Sequence, residues 1–220
     1  MQETTKTDAT KPYQPESEII EHIDLREFEL SEDEKIEQIE FHFGKIMRIL
    51  GLDLTDDSLK DTPLRVAKMY VKELFSGLNP DNMPSVKLFE NKGEYNNMLV
   101  EKDITLFSTC EHHFVPIIGK AHVAYIPKDK VIGLSKINRI VQFYAKRPQL
   151  QERMTTQIAD ALKKILQTED VGVVIEADHL CVQSRGINDT NSSTTSSCFL
   201  GQFKNEATKN EFLHYIRTSK

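Results

Sequence analysis

The chain has no tryptophan, only three cysteines, and no apolar run near the roughly 20 residues that span a bilayer. Without such a run, a helical membrane anchor is not expected. The N-terminal stretch MQETTKTDATKPYQPESE lacks the apolar segment of a secretory signal. Three cysteines in 220 residues make an odd and sparse set for a disulfide framework, so reduced thiols in the cytoplasm are expected. A cationic surplus is missing too: 28 Lys and Arg face 34 Asp and Glu, for a formal net charge of -6. Polyphosphate chains need the opposite balance, so nucleic acid is not expected as a partner. A small anionic ligand remains open, because local charge can oppose the global sign.

What is present suits a folded protein with one sizeable core, at 39% hydrophobic and 28% charged residues. Residues 1–30 are expected to be a disordered or loosely ordered tail, polar throughout its first half. Residues 31–97 read as a helical region. Ser31-Glu-Asp-Glu34 has the form of a capping box, followed by Ile36, Ile39, Phe43, Ile46, Ile49 and Leu50 at helical spacing, with Gly51 as a stop. A second helix opens at Thr62-Pro63 and buries Val66, Met69, Tyr70 and Leu74. Asn79 to Asn97 reads as a loop.

Residues 98–220 change period. Strands are expected at 103–108 and 119–127, with the Lys128-Asp129-Lys130 turn closing a hairpin onto Val131-Ile132. Helices follow from Ser135, on Ile137, Ile140, Val141 and Tyr144, and from Gln149, on Leu150, Met154, Ile158, Leu162 and Ile165. Strands at 171–177 and 193–203 should pair. The expected class is α+β, an antiparallel sheet with helices on one face, preceded by the helical region.

The sparse cysteines are concentrated. Cys110-Glu-His-His113 and His179-Leu-Cys181 bring thiols and imidazoles into two short segments. That donor set is the one zinc prefers, and three ligands without an obvious fourth suggest an open, catalytic position. His112 and His113 are adjacent and point apart, so one of them is expected on the metal. On an extended chain His179 and Cys181 share a side. Two bland readings compete: buried cysteines with satisfied histidines, and a structural zinc with Cys198 as fourth ligand. Cys198 is instead expected inside a strand.

Cations gather nearby in sequence. Lys136 and Arg139 share a helical face just after Ser135, at a helix N-terminus that attracts anions. Arg185 precedes Gly186, and Arg65 lies on the second helix. Several cations near a metal motif in an acidic protein suggest a polyphosphate ligand. Gln151-Glu152 offers an amide and a carboxylate that suit a purine edge.

These motifs, in this order, resemble GTP cyclohydrolase I: Cys110-Glu-His-His113, Gly133-Leu-Ser-Lys-Ile-Asn-Arg-Ile140, Gln151-Glu-Arg153, Asp178-His-Leu-Cys181 with Arg185-Gly186, and Asp61-Thr-Pro-Leu-Arg65. The resemblance implies conversion of GTP and water to 7,8-dihydroneopterin triphosphate and formate, feeding folate or tetrahydrobiopterin synthesis. It implies a tunnelling fold, whose sheets join into a barrel on oligomerisation, in a homodecamer with sites between subunits. It further implies zinc on Cys110, His113 and Cys181, and proton transfer by His112 and His179. Gln151 and Glu152 would hold guanine, Lys136, Arg139, Arg185 and Arg65 the triphosphate, and Ser135 would assist the sugar rearrangement. The rival within the same fold is a pterin- or purine-binding relative without this chemistry.

Overall fold

Ser31 caps the first helix, α1 (Glu32–Ile49), as its signature predicts. Its hydroxyl accepts from the Glu34 N–H, and the Glu34 carboxylate accepts from the Ser31 N–H. The computed structural model describes residues 30–218, so all of the expected tail except Leu30 lies outside the described residues. Helix α1 packs on α2 (Thr62–Lys68), with Gly44 facing Pro63. The buried positions of α1 are Ile36, Gly44 and Met47, whereas Ile46, Ile49 and Leu50 are exposed. Among the described residues the expected stripe is therefore only partly covered. Helix α2 starts one residue earlier than expected, with Asp61 at the cap and Thr62 inside, and runs on into a π-helical stretch, Met69–Leu74.

Seven strands follow, with the remaining helices between them: β1 (Leu88–Glu90), β2 (Leu99–Cys110), β3 (Pro116–Tyr125), β4 (Lys130–Ile132), α3 (Leu134–Ala145), β5 (Pro148–Gln149), α4 (Gln151–Leu166), β6 (Val171–His179), α5 (Leu180–Gln183), β7 (Thr194–Phe199) and α6 (Glu206–Arg217). The main sheet has the order β5-β2-β3-β6-β7, antiparallel except where β5 runs parallel to the end of β2. The β1–β4 pair stands apart. The Lys128-Asp129-Lys130 turn therefore does not close a hairpin onto β3. Its strand pairs with a segment about 40 positions upstream, inside the stretch 79–97 expected as loop.

Helices α3 and α4 lie on one face of the sheet. Ile137, Ile140, Val141 and Tyr144 from α3 and Met154, Ile158 and Leu162 from α4 are fully buried against Leu106, Ala121, Val123 and Ile175. The expected layer arrangement is incomplete on the other face. There α6 packs Phe212 with Phe203, Ala124 and Val174 in a smaller second core. Among the described residues no helix is long and apolar enough to cross a membrane.

Register is what builds the site. Gly119 pairs with Ala177, and a Cβ on it would sit 2.1 Å from the Glu176 carbonyl oxygen, so only glycine allows this approach. That pairing sets Ile117 opposite His179, while Cys110 lies beside Gln149. The end of β2, the start of β3, the end of β6 and the start of α4 thus meet at one edge of the sheet.

One buried histidine on β3 gives a stability test away from that edge. His122 Nδ1 accepts from the Asp103 N–H (3.2 Å), beside a bulge where Asp103 has φ 57°. Burial holds the His122 pKa below its usual value, against the pull of Glu176 and Asp103 and with the push of Lys120 and Lys102. Protonation would also set two N–H groups against each other. The unfolded state therefore takes up the proton first. Stability from the neutral imidazole is full above about pH 6.5 and declines as pH falls toward the folded-state pKa. Urea midpoints measured from pH 8 to 5 should fall over that window, and His122→Gln should flatten the fall.

Candidate active site

Cys110 ends β2 nearly buried, at 4% exposure, on the core side of the strand with Leu106 and Ser108. The chain then turns tightly. The Cys110 N–H donates to Val115 O and the Phe114 N–H to Cys110 O, both at 2.9 Å. Phe114 takes the left-handed region, φ 54°, and rests its ring on Phe75 and Tyr70 of the helical region. The Glu111 N–H donates to Gln149 O (3.2 Å), and the Glu111 carboxylate pairs with Arg153 on α4. The loop carrying the two histidines is therefore fastened to β5, α4 and the helical region at once.

At this loop the donor atoms of Cys110, His113 and Cys181 lie within 4.8 Å of one another. Zinc with sulfur and nitrogen ligands at about 2.0–2.3 Å needs separations only about an ångström shorter. The donor set and the spacing both fit that ion. Burial, and then the neighbouring Cys110 thiol, push the Cys181 thiol up from its ordinary pKa. Two adjacent thiols resist ionising together, and a bound cation reverses that preference. Cys198 stays half-buried on β7, outside this group, as expected.

Cys181 reaches the group by a different route from the one expected. His179 is the last residue of β6, but Cys181 sits in the single-turn helix α5, not on an extended strand. The Ser184 hydroxyl and N–H both donate to Leu180 O, at 2.6 and 2.8 Å, and close that turn.

The other predicted residues divide. His179, two residues before Cys181 at the end of β6, has Nε2 2.7 Å from Gln151 Oε1. Burial lowers its pKa, opposed by the carboxylates of Glu152 and Asp178. His112 is 62% exposed, 3.9 Å from the Glu111 carboxylate, with its ring edge-on to His113. Arg185 Nη1 donates to His113 Nε2 at 2.8 Å, which joins one predicted cation to the centre. Glu152 is exposed in the first turn of α4. Lys136, Arg139 and Ser135 stand at the start of α3, with Lys136 half-buried and the other two exposed. Arg65 pairs with Asp61 (3.7 Å) at the cap of its own helix and is 68% exposed. Gln151 is buried, at 1% exposure, with its amide engaged inside the protein.

Sequence reasoning missed Glu111–Arg153, Phe114, Thr155 and Ser196. Opposite charges inside two neighbouring motifs were a signal for the ion pair. Nothing local marks Ser196 as a partner of Gln151.

A family model described as GTP cyclohydrolase I matches residues 39–217, from within α1 to the last residue of α6. A curated protein named GTP cyclohydrolase 1 from Flavobacterium johnsoniae is 60% identical over 195 residues, covering 88% of this chain and 87% of that protein. A protein of the same name from Vibrio campbellii is 56% identical over 194 residues, covering 88% and 89%. Another from Vibrio cholerae is 58% identical over 185 residues, covering 84% and 85%.

Proposed function

The chain belongs to the GTP cyclohydrolase I family, and on that premise we propose that it converts GTP and water to 7,8-dihydroneopterin triphosphate and formate, with zinc held by Cys110, His113 and Cys181. The observation that carries the reading is the convergence of those three donors beside His179. Zinc bound there would act as a Lewis acid and lower the pKa of water for attack on purine C8.

The chain's own groups supply the rest. The Glu152 carboxylate only accepts, so it matches the N1–H and 2-amino donors of guanine. Arg185, Lys136 and Arg139 would hold the triphosphate, Arg185 nearest the centre and the other two at the head of α3. Holding GTP at both ends fixes C8 in place, so binding energy is used for orientation. His112 and His179 would exchange protons with the purine nitrogens as the imidazole ring opens and formate leaves. Imidazole titrates near the working pH and suits that work. Ser135 would assist the later sugar rearrangement.

We further propose that a neighbouring subunit completes the site. Arg65 is 68% exposed with Asp61 as its ion-pair partner, and the end of α1 leaves Ile49 84% and Leu50 71% exposed. A homodecamer in which small sheets join into a barrel would cover such surface and bring a partner's cation to each site. The working units proposed are a helical region at 31–97 and a catalytic domain at 98–220. Thiols left free for metal suit the cytoplasm.

The test is a formate assay. Zinc-replete protein given GTP should release formate and a pterin that fluoresces after oxidation and dephosphorylation, and chelation should stop both. Release of phosphate without formate would sink the proposal. A binding-only relative would have no use for His112 and His179 together beside the metal donors. Arg153→Met tests the loop's fastening: metal affinity should drop about 10- to 100-fold in chelator competition, the range for groups that orient ligands.

A further inference from the structure

Gln151 does not offer a free amide to a substrate. Its Nε2 lies 3.1 Å from Ile175 O, 3.0 Å from Thr194 O and 3.1 Å from Ser196 Oγ. Backbone carbonyls only accept, so the amide nitrogen must face them. Turning the amide over would set Oε1 against two carbonyl oxygens at a buried position, a costly arrangement. The third contact agrees. Thr155 Oγ1 donates its one hydrogen to Gln151 O (2.7 Å). Ser196 Oγ, 2.6 Å from Thr155 Oγ1, must then donate to it, which leaves a Ser196 lone pair to accept from Gln151. Contacts from α4, β6 and β7 therefore fix one orientation of the amide.

That orientation decides the chemistry of the next residue in the network. Gln151 Oε1 is aimed at His179 Nε2, 2.7 Å away. An amide oxygen has no hydrogen to give, so His179 Nε2 carries one. A neutral imidazole has a single N–H, so its lone pair is on Nδ1. We propose that Gln151 is a positioning residue that holds His179 as the Nε2–H tautomer, so that His179 exchanges protons with the reacting purine through Nδ1. The proposal rests on the proposed cyclohydrolase reading and moves Gln151 from the guanine to the histidine. Acid–base catalysis commonly depends on such an orienting partner, because the wrong tautomer presents a hydrogen where a lone pair is required.

Two measurements test it. In zinc-replete protein, Gln151→Leu should lower kcat by about 10- to 100-fold, part of the full acid–base contribution. KM for GTP and zinc content should stay within about twofold. The double variant with His179→Ala should be no slower than His179→Ala alone. A raised KM with kcat kept would assign Gln151 to guanine and overturn the proposal. Magic-angle-spinning NMR of 15N-histidine-labelled wild-type protein needs no change at the buried Gln151. Above the imidazole titration, the signals missing from His179→Ala should show Nε2 protonated and Nδ1 bare; the opposite pattern overturns the proposal. If wild type releases no formate, the cyclohydrolase reading fails in the first assay, and the NMR result still decides the tautomer.

Discussion

Cys181→Ser should abolish zinc binding and lower formate release by on the order of 10³-fold, about 4 kcal/mol of transition-state stabilisation, while the protein stays folded. The side chain is half-buried on the single-turn helix α5, at the margin of the main core, so exchanging sulfur for oxygen there disturbs little of it. Stability should change by no more than about 1 kcal/mol. Cys110→Ser is the poorer test. Cys110 is 4% exposed within the main core, and a buried hydroxyl there adds its own cost of about 1–3 kcal/mol. Metal content by atomic absorption and urea unfolding, run on one preparation, separate the outcomes. Retained zinc and activity would remove Cys181 from the ligand set. Unfolding of the variant would favour a structural zinc. The same thiols set a pH dependence. Both must lose their protons to bind zinc, and burial beside Cys110 holds the Cys181 proton on. Zinc affinity should therefore rise from pH 6 to 8, with protons released on uptake, in chelator competition.

The site was legible where chemistry is written in residue type, and the fold where periodicity is. Thiols and imidazoles at short spacing marked a metal motif, and the family resemblance singled out Cys110, His113 and Cys181 within it. The 3.6-residue stripes of α3 and α4 named the core, and Ile137, Ile140, Met154, Ile158 and Leu162 are all fully buried. Geometry set by distant partners was not legible. The strand β4 pairs with β1, held by the Glu90–Lys130 ion pair and by Asn91 Nδ2 donating to Lys128 O (2.8 Å), contacts that turn chemistry does not encode. Helix α6 carries one fully buried residue, Phe212, so its periodic signal is thin. The turn of α5 hangs on two bonds from Ser184, and the orientation of the Gln151 amide on carbonyls of two strands, β6 and β7. Exposed Ile46 and Ile49 show the converse limit. A stripe announces apolar surface without saying whose surface covers it.

His179→Ala should keep zinc and the fold and lose about 10²- to 10⁴-fold in turnover, the usual contribution of a positioned acid or base. The two histidines proposed to move protons differ in setting, and that difference makes the comparison informative. His112 is 62% exposed on the loop, with the Glu111 carboxylate 3.9 Å away, so its imidazole is free to turn. His179 is held by Gln151 between the end of β6 and the start of α4, with Glu152 and Asp178 close enough to act on its charge. A held group can deliver a proton to one atom, whereas a mobile one can exchange with solvent. Added imidazole should therefore rescue His112→Ala more readily than His179→Ala, because it need not be oriented there. His179→Ala with wild-type turnover and full zinc would show that proton transfer does not run through it. Equal rescue of both variants would show that the Gln151 contact does not confer the orientation argued for it.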